Sequence, residues 1–446
     1  MVTELQELMR QNVAAPPPDD LDLRAIVGAG QRRVRLRRGA GVGAVALATA
    51  AAVTTVVVLL PGGSDQVAPA DHPPAPDAPT LHLAAATQGV EGRDYRVLTS
   101  YTNDNLDRDN GRYFDGVTED GLVLFRDGPR LGQLWSRFAL LDPATGDKDW
   151  LPSSGVGKSQ TWPVSLDADR LVLLSTEANG TDTGALVAHV FDRSTREWSD
   201  VSWPDLPAAD PYHVAVGPDD RLYVSTAATQ GGPPPGGWPT GPDGEAEDAD
   251  AAGDTYELWS ASLSDPADVR DEGLTVGSIA FTDTSLVWTD STNGEAGRVH
   301  VRDLASGAEH AFDPQTGERC NVLGFGASGD RIVMSEYCGT YADGVRDDRV
   351  QILSTDGDQV VTVQDTALEG ALSGTDGHSS TVVLTSYYGD HAGSYVYDLD
   401  TDRLLQLSGA VGKFGTGGPA PAGRFLWSTP VNHRHGATQW LGELVR

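Results

Sequence analysis

The run DRLVLLS at residues 169–175 decides how this chain folds. A short Val/Leu run opened by Asp and closed by Ser reads as a β-strand that follows a tight turn. The run recurs as EDGLVLF from Glu119, DRLYVST from Asp220, TSLVWTD from Thr284 and DRIVMSE from Asp330. Looser copies are STVVLTS from Ser380 and GRFLWST from Gly423. With Asp120, Asp169, Asp220, Thr284, Asp330, Ser380 and Gly423 as markers, the spacings are 49, 51, 64, 46, 50 and 43 residues. A second turn follows each strand pair at a distance: LLDPATGD from Leu140, VFDRSTRE from Val190, VRDLASGA from Val301 and VYDLDTDR from Val396.

Units of this length have room for four strands each, and their repetition is the pattern of an all-β fold, a β-propeller. Seven copies predict seven blades, with six and eight as the neighbouring counts. Two β-sandwiches would also give many short strands, but not a turn motif at near-constant spacing. The pattern sets in near Glu91 and runs to Arg446, without a long amphipathic helix, so the propeller is expected over 91–446.

The repeats resemble TolB-like, YVTN-like and quinoprotein-type propellers over roughly residues 95–446. ALLDPATGDKDW, from Ala139 to Trp150, is similar to the quinoprotein blade signature with its Thr-Gly and terminal Trp. The other units lack that Trp at the same place, apart from the nearby Trp198, so the resemblance implies a fold and no quinone cofactor.

Outward from the repeats, the N-terminal part has a different texture. Residues 39–60, GAGVGAVALATAAAVTTVVVLL from Gly39 to Leu60, carry no charge. As a helix they would be about 33 Å long, enough to cross a bilayer's hydrocarbon core of about 30 Å. Arg32, Arg33, Arg35, Arg37 and Arg38 lie just before, and no basic residue follows until Arg93. The positive-inside rule then places residues 1–38 in the cytoplasm and the large domain outside. A cleaved signal peptide is the rival reading, but its apolar core is about 7–15 residues long. Residues 61–90, rich in Pro, Ala and Asp, are expected to form a disordered stalk.

Charge follows the same division. Residues 1–60 hold seven Arg and five acids, whereas residues 61–446 hold 25 Lys and Arg against 59 acids. So acidic a body repels nucleic acid and anionic lipid, which excludes both as its partners.

In the cytoplasmic piece, Thr3-Glu4-Leu5-Gln6 reads as a capping box, with Val2, Leu5, Leu8 and Met9 on one helical face. Two readings stand: a docking peptide for a cytoplasmic regulator, and a membrane-surface helix or disordered tail. The order of short helix, Pro/Asp linker, Arg run and Ala/Val span resembles single-pass bacterial proteins that accompany alternative sigma factors. That resemblance implies a sigma factor as the partner of residues 1–38.

Propeller blades run A, B, C, D from the axis outward, so B–C and D–A connections share one face. Here the A–B and C–D turns are short and uniform, and the B–C loops are long and varied. Elaborated loops on a uniform scaffold mark the working face. The candidate ligand-binding residues there are Tyr337, Tyr341, Arg346, Tyr387, His391, His433 and His435. The strand over residues 93–101 is expected to close the ring beside residues 439–445.

Cys320 and Cys338 flank a hairpin centred on Gly329, and a three-residue turn would make them cross-strand neighbours. A disulfide and two buried thiols are the alternatives. Residues 105–111 place oxygen ligands at alternate positions, as calcium loops do, but Gly116 stands where the closing acid belongs. Residues 245–254, EAEDADAAGD, read as an acidic loop tip. No catalytic set, metal site or cofactor is expected: there is no G-x-S-x-G elbow and no phosphate loop, and His433-x-His435 is a lone pair. The expectation is a membrane-anchored extracytoplasmic sensor or binding module, with a surface-tethered hydrolase or lyase on the B–C face as the alternative.

Overall fold

Six of the seven marker runs are the second strands of four-stranded antiparallel meanders in this computed structural model, and the seventh opens the three-stranded sheet described for the last blade. The structure describes residues 78–107, 111–128, 136–153, 161–176, 185–209, 214–229, 255–290, 297–315, 320–338, 348–372, 379–413 and 419–446. The expected segments 1–38 and 39–60 lie outside these residues. Among the described ones, no helix is long and apolar enough to cross a membrane.

In blades 1 to 6 the four blade strands form a meander in which sequence neighbours pair. Blade 1 comprises Arg112–Val117, Val123–Asp127, Arg137–Leu141 and Lys148–Trp150. Blades 2 to 6 repeat this order over 161–202, 214–276, 279–312, 320–365 and 368–408. B strands such as Val123–Asp127, Ser285–Thr289 and Thr381–Ser386 are buried along their whole length. A neighbouring blade covers each face, so the runs are nearly continuous in apolar residues instead of alternating.

The two turn motifs recur together because they are bonded to each other. The carbonyls of Asp169, Thr284, Asp330, Ser380 and Gly423 accept from the backbone N–H of Arg193, Leu304, Thr355, Leu399 and Leu444, all at 2.9–3.0 Å. The aspartates of the C–D turns cap their own loops: Asp192 Oδ1 accepts from Ser194 N at 2.8 Å, and Asp303 Oδ1 from Ser306 N at 2.7 Å. A side chain that mimics a backbone turn in this way favours Asp there.

The core is divided into slabs. Seven apolar clusters lie between adjacent blades. Val172 and Leu174 meet Leu222 and Val224 between blades 2 and 3. Leu426 and Leu441 meet Phe114, Val123 and Phe125 between blades 7 and 1, so the ring is closed by the same chemistry that builds it. The interface of blades 1 and 2 also holds a buried ion pair. Arg126 Nε donates to Asp115 Oδ2 at 2.8 Å, and its Nη2 donates to the Thr161 carbonyl at 2.7 Å.

Closure uses the N-terminal strand, as expected. Tyr95–Asn103 pairs antiparallel with Gly436–Leu444, from Leu444 opposite Tyr95 to Ala437 opposite Asn103. Arg424–Val431 completes the described part of blade 7.

The expected stalk, 61–90, is corrected at its C-terminal end. Thr80–His82 runs parallel to the outer strand of blade 5, and Thr87–Gln88 parallel to that of blade 6. Leu83, between them, is buried against Val361, Val363 and Leu404. Short as they are, these strands satisfy outer-edge backbone groups that would otherwise stay open to pairing with other chains. Residues 61–77 lie outside the described residues.

The hairpin around Gly329 is corrected too. Ser328 pairs with Arg331 across a two-residue turn, which alone would put Gly339 opposite Cys320. A β-bulge at Leu323 shifts the register by one residue. Cys320 then faces Cys338, and the two are disulfide bonded with Cα atoms 3.9 Å apart.

Candidate functional site on the B–C and D–A face

Blade 6 shows best what this face holds. Its B strand Thr381–Ser386 ends in Tyr387 and Tyr388, which are 54% and 53% exposed. The A strand Leu368–Leu372 buries its two leucines and exposes Glu369 and Ala371, as a strand lining the axis does. Burial, together with the nearby Glu369 carboxylate, pushes the Tyr387 phenol up to about 12.

Four residues on in the same loop, His391 Nδ1 lies 2.9 Å from Asp365 Oδ2, at the end of the outer strand of blade 5. The other Asp365 oxygen accepts from Thr366 N at 2.8 Å, so the carboxylate is fixed. The His391 carbonyl accepts the Tyr395 hydroxyl at 2.7 Å, which anchors the loop. An imidazole held at Nδ1 by a carboxylate has a set tautomer and orientation, and Nε2 is the atom left to act.

Blade 7 carries the other pair of histidines. Asn432, His433 and Arg434 have φ of 49°, 55° and 75°, three successive non-glycine residues in the left-handed region. Each such residue costs about 1–3 kcal/mol unless its surroundings hold it. Asn432 Nδ2 donates to the Asp104 carbonyl at 3.3 Å, and Leu106 N donates to the His435 carbonyl at 2.9 Å. His435 Nδ1 lies 3.1 Å from Asp107 Oδ2 and, with Lys413, holds the Asp107 carboxyl below its ordinary range. His435 thus meets Asp107, an acid of the segment that resembles a calcium loop, through Nδ1, as His391 meets Asp365.

Thus Tyr387 and His391 share one loop, near the strand residues Glu369 and Asp365, His433 and His435 share another, and Tyr337 stands apart in blade 5 opposite Asn321. Tyr341, Arg346 and the acidic tip 245–254 lie outside the described residues. Glu369 and Asp365 were missed because they come from strand positions in other parts of the repeat, where nothing in the sequence marks them out.

Among the described residues one group has metal-ligand proximity: atoms of Cys320, Glu336 and Cys338 within 4.8 Å of one another. The disulfide uses both sulfurs, and Glu336 pairs with Arg349 Nε at 3.2 Å, so the group is committed to structure. On the A–B and C–D face, a cleft of about 300 Å³ lies between blades 1 and 2. Its arginines are paired, Arg193 with Asp120 at 2.7 Å and Arg196 with Asp149 at 2.6 Å.

No family model and no curated protein matches this chain. Among solved structures, an oligogalacturonate lyase in complex with manganese is 13% identical, with 81% of this chain and 95% of that one covered and a TM-score of 0.47. The β-propeller domain of the Trilobed protease from Pyrococcus furiosus is 9% identical, with 74% and 94% covered and a TM-score of 0.44. A structure from a study of two prolyl endopeptidases is 16% identical, with 73% of this chain covered and a TM-score of 0.42. The chain spans 44% of the length of that peptidase. At these identities the likeness is one of fold.

Proposed function

We propose that this chain is a membrane-tethered binding module. Residues 1–38 sit in the cytoplasm and meet a regulator of the sigma-factor class. Residues 39–60 span the bilayer, and the propeller lies outside with its B–C and D–A face presented to a ligand or protein. The apolar run behind an arginine cluster supports the tether. One observation carries the binding role: two adjacent exposed tyrosines, one of them under the influence of an axial carboxylate, on the face with the varied connections. Aromatic rings with a polar handle are what recognition surfaces use. The test is capture from the producing cell with the full chain. Tyr387→Ala with His391→Ala should lose an extracytoplasmic ligand, and deletion of 1–38 a cytoplasmic protein. Identical capture by both variants and the parent chain would sink the reading.

A second reading, a surface-tethered hydrolase or lyase on the same face, is favoured by the His391–Asp365 pair. A positioned imidazole is the commonest general base. Turnover of a captured ligand that His391→Asn abolishes while binding persists would establish the enzyme instead.

A further inference from the structure

Blades 5 and 6 differ from the others in having a fifth strand, and they are the two blades that build the His391–Asp365 pair. Both added strands come from one strap, residues 80–88, laid along the outer edges of the two blades. Among the described residues, the outer edges of blades 1 to 4 carry no such strand.

Each support of His391 leads back to this strap. On the blade 5 side, Thr80, Leu81 and His82 pair with Thr362, Val363 and Gln364. The next residue is Asp365, whose Oδ2 lies 2.9 Å from His391 Nδ1. On the blade 6 side, Thr87 and Gln88 pair with Leu405 and Gln406. The Gln406 carbonyl accepts from Gly89 N at 2.9 Å and from Gln88 Nε2 at 3.1 Å. Gln406 Nε2 donates to the Tyr395 hydroxyl at 3.2 Å, and that hydroxyl donates to the His391 carbonyl at 2.7 Å. Between the two strands, Leu83 enters the apolar cluster that also holds Val363, Leu404 and Tyr395.

The strap itself is lightly held. Of residues 80–88 only Leu83 is buried, with Leu81 and Ala86 partly buried against the same cluster. Segments with few buried contacts open locally at a small fraction of the cost of global unfolding. Docked and released strap are therefore two states of one element, and the groups around His391 bias the balance between them.

We infer that docking of the strap 80–88 is coupled to the order of the His391 loop, so that occupancy of the B–C and D–A face is felt by the chain that leads back to residues 1–77. A ligand that fixes His391 steadies Asp365 and Gln406 and tightens the strap. A released strap loosens the imidazole in return, because coupling between two sites acts equally in both directions. This rests on the reading of that face as the binding face, and it gives the reading a route by which a message leaves the propeller.

The test needs no ligand. Hydrogen exchange is followed by mass spectrometry on the full chain in detergent. His391→Ala removes the Asp365 arm and Tyr395→Phe the Gln406 arm. Each should speed exchange over residues 80–88 about tenfold, within the usual range of site-to-site coupling, while Thr381–Ser386 stays as protected as in the parent. The larger effect names the stronger arm. In the other direction, Leu83→Asp should release the strap and shift the His391 imidazole signal in a chain labelled with carbon-13 histidine. The signals of His189 and His300, in blades 2 and 4, should stay in place. If Leu83→Asp fails to fold, Leu83→Ala takes its place, and if Tyr395→Phe fails, His391→Ala carries the exchange arm alone. Unchanged exchange over 80–88, or a His391 signal that does not move once exchange shows the strap released, overturns the inference. Either failure counts against the coupling and not against the binding role of the face, which the capture experiment tests separately.

Discussion

Gln439, in the C strand of blade 7, holds both backbone groups of Phe114 in the A strand of blade 1. Its Oε1 accepts from Phe114 N at 2.6 Å and its Nε2 donates to the Phe114 carbonyl at 3.0 Å. Both residues are about 1% exposed. One side chain thus bridges the last blade to the first. Gln439→Leu strips a buried N–H and a buried C=O of partners and should cost about 2–4 kcal/mol. Urea unfolding measures it, and an unchanged midpoint would show that closure does not depend on this amide.

Arg126 and Asp115 are each buried to within a tenth of their surface. Arg126→Ala leaves a buried carboxylate without its cation and should destabilise by about 3–5 kcal/mol. Arg126→Met with Asp115→Leu should recover most of the loss, because two apolar groups need no partner there. Comparing the urea midpoints of the two variants separates the charge from the packing.

Asp94 sits at the head of the closing strand, bonded to Arg93, to Val90 N and to Arg403, and its carboxyl is lowered to about 2. An acid whose folded pKa is depressed contributes stability above its unfolded pKa, near 3.9, and loses it as pH falls through the folded value. Between about pH 4 and pH 2 the parent chain should lose stability more steeply than Asp94→Asn, which starts lower at neutral pH. Parallel acid slopes in thermal melts would remove Asp94 from the closure.

The disulfide joins the A and B strands of blade 5 across 18 residues. Cys320→Ser with Cys338→Ser should cost about 3 kcal/mol, the figure for a loop of this size. Mass measurement after alkylation without reductant should show no free thiol in the parent chain. Two alkyl groups would contradict the bond.

Tyr387 reports on Glu369. Glu369→Gln removes the nearby charge and should bring the phenol down from about 12 towards its ordinary value. The difference in alkaline phenolate absorbance between the parent and Tyr387→Phe isolates this residue from the other tyrosines. A curve that Glu369→Gln does not move would separate the two side chains.

What the sequence disclosed follows from burial. B strands are legible because both faces are covered, so LVLL at 171–174 has no polar interruption. C–D turns are legible because Asp192 and Asp303 cap them with their own side chains. A strands are not, since several are bulged, at Phe114/Gly116, Pro163/Ser165 and Val322/Gly324, and half-polar towards the axis. Thr80–His82 escaped notice because three residues among prolines carry no period. The expected pairing of Cys320 with Cys338 had the right partners for an incomplete reason: the turn is shorter than assumed, and the bulge at Leu323 compensates. At the candidate site, single loop residues such as Tyr387 and His391 could be named, but not Glu369 or Asp365. Those contacts exist only once adjacent blades are packed.

The strand Tyr95–Asn103 is translated more than 300 residues before its partner Gly436–Leu444. At about 5–20 residues per second, the ribosome takes roughly twenty seconds to a minute to cover that distance. Throughout that time six blades can stack while Tyr95–Asn103 waits, unpaired and rich in β-formers. The seam is therefore the last event of folding. A nascent chain would carry an open ring until Gly436–Leu444 emerges.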